Sequence, residues 1–247
     1  MDVKTLRGSD LQFGSAAQGD PSLSVSPASS FSAHFTLTGA PNETYRIFLP
    51  TSPVLMRVAG GVLEATQFQS IPSGTGHLDG NGNGTIDVGA TRADISPTQA
   101  TGNYSGSFMI GVQSSTGGPT SQARSTARQT VIASLAISKL ANLDFGAIAP
   151  GDPSRRVDSA APAAARFVVS GERNRLFSIH LPQSVILRHS NGATMSVRNL
   201  LSTPGDPGNL GPSGSVSLSV GGILPGIPAQ QPAGSYVGLF TVTVVYQ

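Results

Sequence analysis

The amino-acid sequence predicts an all-β protein built as two tandem β-sandwiches. Three observations carry this: an internal repeat covering most of the chain, apolar residues alternating with period two, and a turn-rich, weakly charged composition. The repeat comes first. An offset of 132 positions brings residues 10–113 onto 142–245 without a gap. At its start DLQFGSAAQGDPSLSV (10–25) meets NLDFGAIAPGDPSRRV (142–157), with nine identities in sixteen positions. At its end GNYSGSFMIGVQ (102–113) meets GSYVGLFTVTVV (234–245), sharing the frame Gly-x-Tyr-x-Gly-x-Phe. Between them Phe35, Gly39, Leu49–Pro50, Pro72 and Gly76 fall on Phe167, Gly171, Leu181–Pro182, Pro204 and Gly208. Solenoid repeats run to roughly 20–50 residues, so a period this long marks two homologous domains. Their expected bounds are 1–113 and 129–247, with residues 114–128 as a Gly/Ser/Thr-rich linker.

Each element is expected to be a strand. Phe35 and Leu37, then Tyr45, Ile47 and Leu49, occupy alternate positions, as do Phe177, Ile179 and Leu181. Val216, Leu218 and Val220 alternate with serines, and SYVGLFTVTVVY puts Tyr236, Gly238, Phe240, Val242 and Val244 on one face. Such β-branched and aromatic residues suit a pleated, half-buried surface. Gly-Asp-Pro at 19–21, 151–153 and 205–207, and Gly-Asn-Gly-Asn-Gly at 80–84, punctuate the runs. The segment TARQTVIASLAISKL reads two ways. Its alanines allow a helix, but Val131, Ala133, Leu135 and Ile137 alternate, which favours a strand. The repeat places Leu135 and Ile137 on Val3 and Thr5, so the first domain retains only Met1–Thr5 of this strand and is expected to be truncated there.

Composition narrows the function classes. Charged residues make up 11% of the chain, against about 25% in an ordinary soluble domain. Leu, Ile, Val and Phe still number 61 of 247, above the roughly 20% below which chains stay disordered. A coiled coil, a collagen-like chain and an ordinary helical enzyme are excluded. Net charge is +2, and the densest basic groups, Arg124 with Arg128 and Arg155–Arg156, lack the interleaved aromatics of a single-strand binder. No nucleic-acid partner is expected. The absence of cysteine excludes a disulfide scaffold, a thiol nucleophile and a cysteine-ligated zinc site. No run of about 18 apolar residues is present, so no membrane span is expected. Residues 1–15 carry no apolar h-region, hence no signal peptide is visible, and the chain is expected to be intracellular or already processed.

Few residues suggest chemistry. The loop DGNGNGTID (79–87) offers oxygen ligands at Asp79, Asn81 and Asn83, with Asp87 closing it, and resembles the start of a calcium loop. Position twelve, where such loops place a bidentate Glu, is Ala90, and the second copy has Gly211 and Ser219 in place of Asp79 and Asp87. Turn chemistry is therefore the expected role, and calcium the alternative. His34 and His180 lie out of phase with the apolar alternation, and their counterparts are Arg166 and Phe48. Asp20 and Asp152 recur inside Gly-Asp-Pro turns, where aspartate stabilises its own backbone. No nucleophile elbow, zinc-protease or phosphate-loop motif is present. No catalytic or cofactor-binding residue is assigned, and the chain is expected not to be an enzyme.

Leu-Asp-Phe-Gly…Pro-Gly (143–151), followed by Pro-Ala-Gly-Ser-Tyr-x-Gly-x-Phe-Thr-Val-Thr-Val-x-Tyr (232–246), resembles a family of exported bacterial domains of unknown function. That family is similar to spore-coat protein U domains and archaic chaperone–usher pilins. The resemblance implies an immunoglobulin-like, pilin-like fold, export to the bacterial cell surface or medium, and assembly by donor-strand complementation. In that mode an extended segment completes a sandwich that lacks one strand. Implied partners are like or related subunits and a periplasmic chaperone. The candidate donor strand is Val131, Ala133, Leu135 and Ile137, completing either the first domain or its own. The chain departs from the pilin pattern in lacking a full N-terminal donor segment and the common disulfide. A tip subunit that accepts a strand and gives none would look like this, and so would a truncated chain. The expected function is thus a non-enzymatic surface or fimbrial structural or adhesion protein. The alternative is a monomeric adhesin binding carbohydrate, or acting with calcium.

Overall fold

A computed structural model of the chain describes residues 3–247. It divides into two compact units, Met1–Ala133 and Ser134–Gln247. Both are all-β sandwiches, and the described residues contain no helix.

The first unit holds β1 (Lys4–Arg7), β2 (Leu11–Ala17), β3 (Leu23–Val25), β4 (Ala33–Thr38), β5 (Thr44–Phe48) and β6 (Val54–Val58). It continues with β7 (Gly61–Ile71), β8 (Thr75–His77), β9 (Asn83–Arg92), β10 (Gly102–Ser114) and β11 (Ser121–Ile132). One hydrogen-bonded path runs β1-β4-β9-β7-β6-β10-β11-β2 and curls over itself. Across the interior the Phe35 ring of β4 meets Phe108 of β10 edge to face, with centroids 6.4 Å apart. Period-two patterning makes this possible. Ala33, Phe35 and Leu37 point inward while His34, Thr36 and Thr38 do not, and Ile86 and Val88 complement them from β9.

The second unit holds β12 (Ala136–Ala141), β13 (Arg155–Val157), β14 (Ala165–Ser170), β15 (Leu176–His180) and β16 (Ser184–Arg188). It ends with β17 (Thr194–Thr203), β18 (Gly208–Asn209), β19 (Ser215–Leu224) and β20 (Thr243–Tyr246). Its main sheet runs β12-β14-β19-β17-β16, and a small sheet, β18-β15-β20, covers the other side. Phe167 meets Phe240 with the same edge-to-face geometry, again at 6.4 Å. The repeat is reproduced in detail. The β7–β9 ladder slips between Thr66 and Gln69 and the β17–β19 ladder between Arg198 and Leu201, with Gln67 and Asn199 at positive φ in equivalent bulges.

The structure moves one expected boundary. Residues 114–128, read as a linker, contain a short turn and most of β11. Strand β11 pairs antiparallel with β10 from Gly102↔Val131 to Val112↔Ser121, and parallel with β2. It was hidden because its inward positions are Ala123, Ser125, Ala127, Gln129 and Val131, small or polar except the last. The first unit also has a short initial strand: β1 pairs with β4, while Met1 and Asp2 of the expected Met1–Thr5 strand lie outside the described residues. No helix of the described residues is long and apolar enough to cross a membrane.

Candidate functional site: an open groove in the second unit

The two units differ where β11 lies. In the first, β10 is a thirteen-residue strand with β11 along one edge. Strand β2 has β11 as its only ladder partner among the described strands. In the second unit the matching segment, 234–246, forms only the four-residue β20 plus one bridge from Val237 to Arg188. Residues 143–149, which match β2, form no strand. Strand β20 pairs with β15 and no described strand lies on its other side. The cause is local. A strand segment without a neighbour has no ladder for its N–H and C=O groups, and β-structure is held by such pairing rather than by propensity.

The result is a groove of about 710 Å³. One wall is 143–148, with Leu143, Phe145 and Ile148; the other is 234–240, with Tyr236, Gly238 and Phe240. Its floor includes Phe167, Leu187, Val197 and Leu224. In the first unit the counterparts Leu11, Phe13, Tyr104 and Phe108 are fully buried, whereas Leu143, Phe145, Tyr236 and Phe240 are only partly covered. The alternation of inward positions is the same in both copies, but the second lacks the strand that covers them in the first.

The Gly-x-Tyr-x-Gly-x-Phe frame builds the groove's rim. The leading glycine sits at φ 133° in the first copy (Gly102) and 140° in the second (Gly234), a region side chains avoid. Tyr104 Oη donates to the Ala100 carbonyl at 2.6 Å and accepts from Gln99 Nε2 at 2.8 Å. Tyr236 repeats the clasp, donating to the Pro232 carbonyl at 2.9 Å and accepting from Gln231 Nε2 at 2.8 Å. The next glycine admits the neighbouring strand: a Cβ on Gly106 would strike the Leu55 carbonyl, and one on Gly238 the Ile186 carbonyl.

A protein-family model described as "Domain of unknown function (DUF4402)" matches residues 12–114 and again 153–246. The chain belongs to this family. The first DUF4402 match ends at residue 114, before β11. No curated protein matches the chain. Among solved structures, the CsuC–CsuE chaperone–tip adhesion subunit complex of Acinetobacter baumannii archaic Csu pili is 12% identical. That match covers 97% of this chain and 99% of that one, at a TM-score of 0.33. The CooA pilin of enterotoxigenic Escherichia coli is 12% identical over 53% of this chain and 99% of its own, at 0.32. AggA, the major subunit of Escherichia coli aggregative adherence fimbriae type I, is 15% identical over 52% and 93%, at 0.25.

Within this DUF4402 protein the residues expected to form one donor strand are divided between the units. Val131 is buried in β11, with 1% exposure, and Ala133 ends the first unit. Leu135 and Ile137 pack partly buried against the second unit's core, Ile137 in β12. The 79–87 loop does not gather ligands. Asp79 Oδ1 accepts from the backbone N–H of Asn81 at 2.9 Å and of Asn83 at 2.8 Å, closing the hairpin turn. Asp87 lies down β9, its Oδ1 2.7 Å from His34 Nδ1. Among the described residues no group of three or more His, Asp or Glu converges on a metal-sized site. Asp20 and Asp152 each accept a backbone N–H three residues back, from Ala17 and Ala149, at 2.8 and 2.7 Å.

Proposed function

We propose that this DUF4402 protein is a non-enzymatic, exported bacterial surface or fimbrial subunit. Its first domain is closed by its own strand β11, and its second is completed by a strand from another polypeptide. The observation that carries this is the contrast between two homologous grooves, one filled by β11 and one open and apolar. A filled groove in the same fold supplies the template: an extended segment laid between residues 143–149 and 234–246 restores both ladders and covers the half-buried aromatics. Related subunits, with a periplasmic chaperone during export, are the partners that suit such a surface. The rival role as a calcium-dependent adhesin is not favoured by Asp79, whose carboxylate closes its own turn.

Hydrogen exchange on the full chain, with size-exclusion and light scattering, tests this. The amides of 234–242 are expected to exchange much faster than those of 102–110 in the monomer. They are expected to slow when a peptide of sequence Ser121–Ile132 is supplied in excess, or when the chain oligomerises. Equal protection of the two segments in a monomer that ignores the peptide would overturn the proposal.

A further inference from the structure

The copies agree at Phe167 and Leu187 of the groove's floor, which match Phe35 and Leu55, and differ at other positions inside the groove and around its rim; the differences describe the missing strand. Inside, Ile148 and Leu224 line the groove where the first unit has Ala16 and Arg92. On the outward face of the Gly-x-Tyr-x-Gly-x-Phe frame, Ser105 and Ser107 of the first copy become Val237 and Leu239, exposed by 65% and 94%. Asp10, whose Oδ2 takes Arg128 Nε at 2.8 Å, becomes Asn142.

The β10–β11 register, carried over by the repeat offset, says what each change faces. A strand placed as β11 is placed would set its Gln129 position opposite Tyr236, its Ala127 position opposite Gly238 and its Ser125 position opposite Phe240. Its outward residues would fall with the Arg128 position against Val237 and the Thr126 position against Leu239. Directly opposed side chains are the unit of sheet stability, and aliphatic pairs are favoured over an aliphatic–charged one. Strand β11 itself would leave a guanidinium beside Val237, with Asn142 in place of the carboxylate that pairs with it in the first unit. Its Gln129, whose Nε2 donates to the Gly14 carbonyl at 2.9 Å while its buried Oε1 lacks a partner, would enter a groove lined with Leu224.

We propose, resting on the reading that another polypeptide's strand fills this groove, that this strand is apolar on both faces and is not β11 of a second copy. Its inward side chains opposite Gly238 and Phe240 are small; its outward side chains opposite Val237 and Leu239 are aliphatic or β-branched. The groove thereby discriminates against the chain's own closing strand, which keeps copies of the protein from exchanging β11 with one another.

Two peptides test this on the full chain: the native Ser121–Ile132 sequence, and the same sequence with Thr126→Val and Arg128→Val. The substituted peptide is expected to bind about 5-fold or more tighter, and to protect 234–242 from exchange. Restoring the first unit's serines in the chain, Val237→Ser with Leu239→Ser, is expected to erase that preference; both side chains are exposed, so folding is spared. Because the chain has no cysteine, a Leu239→Cys chain reports register. It should form a disulfide with a peptide carrying Thr126→Cys in preference to one carrying Arg124→Cys. Equal or tighter binding by the native peptide, a preference that survives the serine variant, or a different register overturns the inference and leaves the open-groove reading standing. Failure of both peptides to protect 234–242 overturns the reading itself.

Discussion

Residues 102–112 and 234–244 carry the same motif, the same inward alternation and the same tyrosine clasp, yet only the first is a continuous strand. The difference lies outside both segments. Val131, Gln129, Ala127, Ser125 and Ala123 lie along one edge of β10. No described strand lies along that edge of 234–242, where the one described bridge, from Val237 to Arg188 of β16, is on the other edge. The lesson is that this strand is made by its neighbour. Aromatic and β-branched residues determine which face turns inward, while the ladder determines whether a strand forms at all.

The largest effect is expected from making the first unit resemble the second. Val131→Asp places a carboxylate in a site 1% exposed, ringed by the core. A buried unpaired charge costs at least about 3 kcal/mol, enough to expel β11. Exchange of the 102–112 amides is then expected to rise to that of 234–244, with β2 losing protection in the same step, because β11 is its ladder partner. If 102–112 stays protected in the variant, β11 is not what orders it.

Much of this was legible in the sequence: the two copies, their sandwich class, and the inward faces at Phe35, Phe177, Tyr236 and Phe240. All rest on apolar periodicity, which burial enforces wherever a strand lies over a core. Strand β11 was not legible, because a strand pressed between two others over large aromatics needs small side chains. Ala123, Ser125 and Ala127 carry no hydrophobic signal, and the flanking Gly117–Gly118 make the region resemble a linker. The reading of Val131 to Ile137 as one strand failed for the opposite reason. Its alternation is real on both sides of Ala133, but Val131 belongs to one core and Leu135 and Ile137 to the other. The groove itself is a relation between segments roughly 90 residues apart in the chain, and no local pattern announces it.

A middle-sized effect separates the two tyrosine clasps. Tyr104→Phe removes a buried hydroxyl, leaves the Ala100 carbonyl without that donor and leaves the Gln99 amide with only the Val62 carbonyl, a loss of about 1–3 kcal/mol. Tyr236→Phe does the same at a half-covered site where water can replace the hydroxyl, so about 1 kcal/mol or less is expected. Denaturant titrations that resolve the two units would measure both. The gap is expected to narrow once a peptide covers the second groove. Equal losses in the free chain would mean that the second clasp is already shielded from water.

The smallest effect concerns Arg92, the largest fully buried side chain among the described residues. Its Nη1 donates to the Ala93 carbonyl at 2.6 Å, but its buried Nε has no partner. Burial pulls its pKa below the usual arginine value, opposed by the carboxylates of Asp20 and Asp94. The second copy has Leu224 at this place, buried in its core. A desolvated cation with an incomplete hydrogen-bond set is often replaced by a packed apolar residue without loss. Asp94 is exposed and Asp20 partly so, and each already accepts a backbone N–H, from Ser22 and Ala17, so neither is stranded by the change. Arg92→Leu is therefore expected to leave the first unit's stability unchanged or to raise it by about 1 kcal/mol. A loss above about 2 kcal/mol would show instead that Arg92 holds the Asp20 and Asp94 loops together, a task the second copy accomplishes without it.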